Sequence, residues 1–193
     1  MALFVSNKTV RLREVLLKDK PEEMIAASPK GTVPVLIDGD AVIDESLAVM
    51  RRALAKNDPE GWLLSTDDRD ALVAENDGPF KHHLDRYKYS TRYEGADPQE
   101  HREAGMAFLR KLEAQLEKSP YLAGDARGFA DIAIFPFVRQ FRIADPSWFD
   151  AAPIPYVRRW LEDLSGSALF SAVMKKYPIW KETGEEFVFP ETA

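Results

Sequence analysis

Three residues in the first fifty positions have side chains suited to holding a charged ligand. Glu45 and Ser46 precede an amphipathic stretch, residues 47–54, that is typical of a helix. Ser46 therefore lies near a helix start, where free N–H groups and the positive end of the dipole favour a carboxylate. Glu45 can pair with an amine, and Lys20, in an upstream loop, can pair with a second carboxylate. The set suits a ligand charged at both ends with a peptide bond in its middle.

A strand edge near Val33 and Pro34 could hold that central peptide. Residues 35–43 are typical of two short apolar strands joined by the turn pair Asp38-Gly39. Because proline cannot donate a hydrogen bond to a neighbouring strand, Pro34 belongs at a strand start or edge. The backbone N–H and C=O groups of Val33 are then available to bind an extended peptide by strand addition.

Each of these residues also has an ordinary structural interpretation. A serine before a helix is more often a cap than a ligand group, and a lysine in a loop is more often a solvated charge. Val-Pro pairs are common in turns. The residues are informative together rather than singly, because their order along the sequence is specific. That order is a strand over residues 9–17, Lys20-Pro21, a helix, residues 28–36, the hairpin, Glu45-Ser46 and another helix.

This ordered set resembles the glutathione-binding half of a cytosolic glutathione transferase. The resemblance extends to the end of the sequence, through residues 137–141, 148–150 and 173–180, which look like bacterial members of the superfamily. The Lys-Pro, Val-Pro and Glu-Ser pairs are most similar to the omega-type and related bacterial branches, which use an N-terminal cysteine.

The resemblance implies a fold, a ligand and a set of contacts. The fold is an α/β thioredoxin-like domain over residues 1–57 and an all-α helical domain over residues 66–193, with a polar link that begins at residues 57–61. Glutathione is expected as a co-substrate, and the bond before Pro34 is expected to be cis. The implied glutathione-binding residues are Lys20, Val33, Pro34, Glu45 and Ser46.

No residue of this protein is nominated as catalytic. In the family, a hydroxyl or thiol after the first strand acts on the glutathione sulfur. The pKa of a free thiol is about 8.5. Met1 corresponds to the last turns of the first helix, so we expect the first strand and the start of that helix to be missing from the given sequence. A misassigned start, a trimmed sequence and a natural short form are the alternatives. Ser6 is expected to end the helix rather than to act on sulfur.

After residue 61 the sequence predicts helices and no convincing strand. Asp97 and Pro98 predict a helix start, and apolar residues at helical spacing follow until Ser119-Pro120: Met106, Leu109, Leu112 and Leu116. Residues 129–138 are apolar on nearly every side and predict a central buried helix. Gly128 occupies its cap position, and Asp131 is expected to accept the cap N–H in a structural role.

Residues 77–79 predict the start of a helix that carries the candidates for a second-substrate pocket, Arg86 and Tyr87. Aromatic residues at such spacing more often belong to a core. His82 and His83 are adjacent, so they should point in different directions on a helix and be poor joint metal ligands. Since the sequence also has zero cysteines, no metal site is expected.

Composition argues against several other classes of protein. The net charge is −6 and basic residues are interspersed with acids, whereas nucleic-acid binding needs a concentrated basic surface. No apolar run approaches the roughly 20 residues of a membrane span, and the N-terminus lacks a signal pattern. Zero cysteines exclude disulfides and thiolate catalysis in the given sequence. We expect a cytoplasmic protein, and the resemblance implies a homodimer.

Two functions remain open at this point. In one, the native protein binds glutathione and transfers it to a small electrophile, or acts on a disulfide in thiol transfer. In the other, the protein is a catalytically inactive binding or scaffold protein on the same fold, because the catalytic segment is absent.

Overall fold

A computed structural model describes residues 1–64 and 66–191. The elements in sequence order are α1 (Ala2–Val5), β1 (Val10–Leu12), α2 (Glu22–Ala27), β2 (Leu36–Asp38), β3 (Ala41–Ile43), α3 (Ser46–Leu54), α4 (Asp67–Glu75), a π-helical turn (Asn76–Phe80), α5 (Lys81–Lys88), a 3-10 turn (Ser90–Arg92), α6 (Pro98–Leu116), α7 (Phe129–Ala144), α8 (Pro146–Ala151), α9 (Pro155–Gly166), α10 (Ala168–Val173), α11 (Trp180–Thr183) and β4 (Phe187–Phe189). The protein divides into two compact units. Residues 1–63 and 168–191 form the α/β unit, and residues 64–167 form the helical unit.

In the α/β unit, strand β1 pairs with strand β4 from the far end of the sequence. The pair is antiparallel, with Val10 opposite Phe189 and Leu12 opposite Phe187. The prediction that no strand follows residue 61 is therefore wrong at β4. Phe187 is half-buried, Val188 exposed and Phe189 buried, so the alternation of a strand is present. It spans three residues, which is too short a window for a periodic pattern to be recognised.

The second pair of strands in this unit is the predicted hairpin. Strands β2 and β3 are antiparallel, with Leu36 opposite Ile43 and Asp38 opposite Ala41. Gly39 is the first of the two loop residues and has a φ of +66°, which two-residue hairpin turns of the primed types require. The Val33–Pro34 bond before β2 is cis, as the resemblance implies.

Helix α6 of the helical unit begins where the sequence predicts and ends at Leu116, three residues before Ser119-Pro120. The Asp97 carboxylate accepts the backbone N–H of Gln99 at 2.8 Å, and Pro98 occupies the first helical position. The four apolar residues predicted to share one face are all buried: Met106, Leu109, Leu112 and Leu116. The Glu113 carboxylate on the same helix accepts the N–H groups of Tyr156 at 3.0 Å and Val157 at 2.8 Å, which fastens the start of α9 to α6.

Helix α7 is the buried central helix that the apolar run predicts, and Asp131 anchors its start. The Asp131 side chain is 0% exposed. It accepts four hydrogen bonds, from the backbone N–H groups of Gly128 (2.9 Å), Leu122 (2.8 Å) and Ala123 (3.1 Å) and from the Trp160 indole N–H (2.8 Å). Burial raises the pKa of Asp131, and these donors oppose the rise because they favour the carboxylate. The predicted structural role of Asp131 is confirmed.

Residues 77–79 do not start a helix, contrary to the prediction. They lie in the π-helical turn that joins α4 to α5, so residues 67–88 are continuously helical. Pro79 has no backbone N–H and so interrupts the α-helical hydrogen-bond pattern. A single π-helical turn, with hydrogen bonds between residues five apart, accommodates this interruption. The helix that carries Arg86 therefore begins much earlier, at Asp67.

Candidate functional site

A network of hydrogen bonds joins the loop before β2 to the start of α3. The buried Ser28 hydroxyl donates to the Asp44 carboxylate at 2.8 Å. The Lys30 ammonium donates to the other oxygen of Asp44 at 3.2 Å and to the Glu45 carboxylate at 2.7 Å. The hydrogen bond from Ser28, followed by the one from Lys30, lowers the pKa of Asp44, while Glu45 and then Asp44 raise the pKa of Lys30. Asp44 and Lys30 are thus held in their charged forms.

Lys20 lies beside the same loop. Gly31 has a φ of +62°, and a Cβ at this position would lie 3.7 Å from Cδ and 3.9 Å from Cε of Lys20. The stem of Lys20 therefore passes Gly31, two residues before Val33. Within residues 1–64 and 66–191, the Lys20 ammonium has no hydrogen-bond or ion-pair partner. It is available to an anionic group at the loop.

Val33 and Pro34 lie on the surface of this loop, and Val33 is 45% exposed. The described part of the protein offers no hydrogen-bond partner to the backbone N–H or C=O of Val33. This is the arrangement that strand addition by an extended peptide needs. The protein's own backbone does not occupy these groups among the residues described.

Glu45 and Ser46 lie at the start of α3 as predicted, and both are exposed. Glu45 is the cap residue and Ser46 the first helical residue of a nine-residue helix. The Glu45 carboxylate is already paired with Lys30, which the sequence interpretation missed. An incoming ammonium group would share Glu45 with Lys30 or displace it. Lys30 lies within residues 28–36 and Asp44 directly precedes Glu45, but nothing in their spacing along the sequence indicates that they meet.

The two candidates for a second-substrate pocket make different contacts. The Arg86 guanidinium lies 3.0 Å from His82 Nδ1 and 4.4 Å from the centre of the Tyr93 ring. The Tyr87 ring packs against Phe141, with centroids 4.9 Å apart, and burial raises the pKa of its hydroxyl. Tyr87 thus belongs to the aromatic core of the helical unit, which is the alternative that the sequence left open.

A cavity of about 290 Å³ does exist in the helical unit, elsewhere along its helices. Its lining does not include Arg86 or Tyr87. The lining residues are Glu103, Met106, Arg110, Trp148, Ala151, Ala152 and Pro153.

The three histidines lie close together. Ring nitrogens of His82, His83 and His101 lie within 4.8 Å of one another. That His82 and His83 are poor joint metal ligands stays a prediction, and it did not take account of His101 on the neighbouring helix α6. That contact depends on the packing of α5 against α6, which no local pattern indicates.

Ser6 ends α1, as the sequence predicts. It is buried, and its hydroxyl donates to the backbone carbonyl oxygen of Leu3 at 3.3 Å. The following residue, Asn7, has a φ of +50°, which takes the backbone out of the helix. This hydroxyl is engaged in ending a helix.

Within the described residues, the structure has no helix with the length and apolar character that a membrane span requires.

Comparisons with known proteins agree with this architecture. The sequence model of the glutathione S-transferase N-terminal domain matches residues 1–61, and that of the C-terminal domain matches residues 81–163. Glutathione S-transferase F9 of Arabidopsis thaliana is 29% identical over an alignment of 207 positions, which covers 96% of this chain and 88% of that protein.

Solved structures give the same picture. Glutathione S-transferase I bound with the ligand lactoylglutathione is 25% identical, with a TM-score of 0.66, and the alignment covers 86% of each protein. A ternary complex of BphK, a bacterial GST, has a TM-score of 0.75 over 90% of each protein at 17% identity, which is a likeness of fold.

Proposed function

Because the chain belongs to the glutathione S-transferase superfamily, we propose that it binds glutathione as a co-substrate at the loop before β2 and the start of α3. The observation that carries this proposal is the exposed Val33, whose backbone groups have no hydrogen-bond partners among the described residues. Val33 follows the loop at Gly31, beside which the Lys20 side chain lies. Backbone hydrogen bonds to Val33 would hold the central peptide of the tripeptide.

The charged ends of glutathione would be held on either side of Val33. The γ-glutamyl carboxylate would bind Ser46 and the free N–H groups of α3, where a helix start stabilises negative charge. Its ammonium would bind Glu45 in competition with Lys30. The carboxylate at the other end of the tripeptide would pair with Lys20.

We propose transfer of glutathione to a small electrophile as the reaction. The glutathione sulfur attacks an electrophilic carbon, the C–S bond forms as the bond to the leaving group breaks, and the thiol proton goes to solvent. Thiol transfer on a mixed disulfide is the second reaction compatible with a bound thiol. The assignment to the bacterial omega-like branch stays a prediction, and the named Arabidopsis relative is of the F type.

A catalytically inactive binding protein is the competing function. The Ser6 hydroxyl is buried and bonded to the Leu3 carbonyl oxygen, so this residue is not placed to act on a thiol. A binding protein and an enzyme would share the same glutathione contacts. They differ in turnover, so binding and activity need separate measurements.

Binding is tested by calorimetry with glutathione. Glu45→Gln and Ser46→Ala should each weaken the affinity by roughly ten- to one-hundred-fold, since a hydrogen bond to a charged group contributes about 1.5–3 kcal/mol. Glu23→Gln, an exposed acid on α2, is the matched control and should bind as the wild type does. Unchanged affinity in both site variants would remove this region from the site.

Activity is tested with the same proteins. Conjugation of glutathione to an aromatic halide and reduction of a glutathione mixed disulfide are followed by absorbance. Tight binding without either reaction would identify the inactive form.

We also propose a cytoplasmic homodimer, on the family resemblance alone. Light scattering after size-exclusion chromatography should give twice the mass of one polypeptide, and the mass of a single polypeptide would contradict this proposal.

A further inference from the structure

All three histidines of this protein meet at one place between two helices of the helical unit. Helix α5 supplies His82 and His83, and helix α6 supplies His101, eighteen positions further along. One ring nitrogen from each lies within 4.8 Å of the others. His83 and His101 are partly buried, and His82 is exposed.

The contact between His83 and His101 places two potential ligand atoms side by side. Their Nδ1 atoms are 2.9 Å apart. Two nitrogens that each lie about 2.0–2.1 Å from a tetrahedral Zn²⁺ are about 3.3 Å apart. The observed separation is therefore within about half an ångström of that required, and a small rotation of either ring would admit an ion between them.

His82 reaches the same point although it is adjacent to His83 in sequence. The two rings are nearly perpendicular, at 84°, with centroids 5.2 Å apart. The His101 ring lies 5.9 Å from His82 and 5.1 Å from His83. His101 is thus close to both rings. Although His82 and His83 diverge on α5, each can bind the same ion together with His101.

One cation lies beside the cluster and would compete with a metal ion for His82. Arg86 is the competing cation, since its guanidinium lies 3.0 Å from His82 Nδ1. Its stacking on Tyr93, at 4.4 Å, gives it a second contact that remains when His82 turns to an ion.

We propose that His82, His83 and His101 form a binding site for one divalent transition-metal ion of the kind that prefers imidazole, with Zn²⁺ as the physiological occupant. Imidazole suits zinc, copper and nickel, whereas magnesium and calcium prefer oxygen ligands. Three histidines leave a fourth position for water or a carboxylate, and the ion would join α5 to α6. This proposal is independent of the glutathione site.

The full-length protein, made without a polyhistidine tag, tests the proposal. Calorimetry with Zn²⁺ should show one ion per polypeptide, and the visible spectrum of Co²⁺ should have the intense bands of tetrahedral coordination. His83→Asn and His101→Asn should each weaken Zn²⁺ binding by about one-hundred-fold or more. Changes in groups that only hydrogen-bond to metal ligands already weaken binding by about ten- to one-hundred-fold. Lys81→Gln, an exposed neighbour on α5, is the control and should bind normally.

A second measurement uses the wild type, so it does not depend on the folding of any variant. With three histidines in the sequence, their imidazole proton resonances are simple to follow by NMR, and all three should shift together until one equivalent of Zn²⁺ is bound. Absence of such a shift, or equal Zn²⁺ affinity in the wild type and the His83→Asn and His101→Asn variants, would overturn the proposal. Unchanged affinity in His82→Asn would overturn the three-histidine ligand set.

Discussion

The helical unit and the α/β unit are stabilised in different ways. Most of the buried apolar side chains lie in the helical unit, along α6, α7 and α9. The α/β unit has more of the exposed large apolar side chains, among them Ile37 at 61% and Val188 at 53% exposure. The helical unit thus holds most of the apolar core, whereas turns, strand pairing and ion pairs are more prominent in the α/β unit.

Charged contacts recur along the α/β unit. Asp38 is paired with Lys8 at 2.8 Å and Arg52 at 2.7 Å. Glu186, just before β4, accepts hydrogen bonds from Arg13 at 2.6 Å and Arg11 at 3.4 Å, so the strand pair β1–β4 also carries ion pairs. Solvent and side-chain entropy weaken such pairs where their partners are exposed, as Arg11 and Arg13 are. The α/β unit should therefore respond to many small changes, and the helical unit to a few large ones.

The largest expected effect is that of Asp131→Ala in the helical unit. Three buried donors and one partly buried donor would lose their acceptor. Each hydrogen bond to a charged group contributes about 1.5–3 kcal/mol, so the free energy of unfolding should fall by about 4 kcal/mol or more. Urea unfolding followed by circular dichroism measures it. Asp150→Asn, which breaks an exposed pair with Arg142, is the control. If Asp131→Ala lowered the free energy of unfolding by less than 1 kcal/mol, the stability of the helical unit would not depend on this carboxylate.

The next effect tests how tightly the helical core is packed. A Cβ on Gly105 of α6 would lie 2.5 Å from Cε2 of Phe141, so Gly105→Ala should destabilise the protein by about 1–3 kcal/mol. Gly166→Ala is the matched control, because nothing lies within 4 Å of its added methyl group. Alanine there should be neutral or stabilising by up to about 1 kcal/mol. Equal effects of the two changes would show that α6 and α7 can move apart at no cost.

A smaller effect is expected for Ser28→Ala in the α/β unit. The buried hydroxyl would no longer donate to Asp44, at a cost of about 1 kcal/mol in folding. Since Asp44 also binds Lys30, the start of α3 should loosen and glutathione affinity should fall with it. Ser171→Ala, at an exposed serine, serves as the reference. A stability change without any change in affinity would separate this network from the binding site.

The smallest effect is a dependence on pH. Lys8, followed by Arg52, lowers the pKa of Asp38 to about 2. The folded-state pKa is thus below the ordinary value of about 4, so the stabilisation is present above pH ~4 and is lost as the pH falls towards 2. Asp38→Asn should flatten this part of the stability profile in acid unfolding experiments. An unchanged profile would assign the acid sensitivity to other carboxylates.

The sequence predicted those parts of the fold that depend on local signals. The hairpin follows from Asp38-Gly39, and α6 follows from Asp97, Pro98 and an apolar face, because caps and turns act over a few residues. Strand β4 was missed because three residues are too short for a periodic pattern and because its partner β1 is remote in sequence.

The candidate site was predictable in its residues but less so in its contacts. The positions of Glu45 and Ser46 at a helix start were predictable, since helix starts have local signals. The pairing of Lys30 with Glu45 was not, and neither was the meeting of His101 with His82 and His83. Each depends on how separate elements pack, and single-sequence patterns do not report packing.

The pairing of β1 with β4 has a consequence for the order of events during synthesis. Residues 64–167 are contiguous, so the helical unit can form its core while later residues are still inside the ribosome. Strand β1 leaves the ribosome early but must wait for residues 187–189 before its ladder can close. Until then the backbone groups of β1 lack these partners, and unpaired strand groups can pair with another polypeptide.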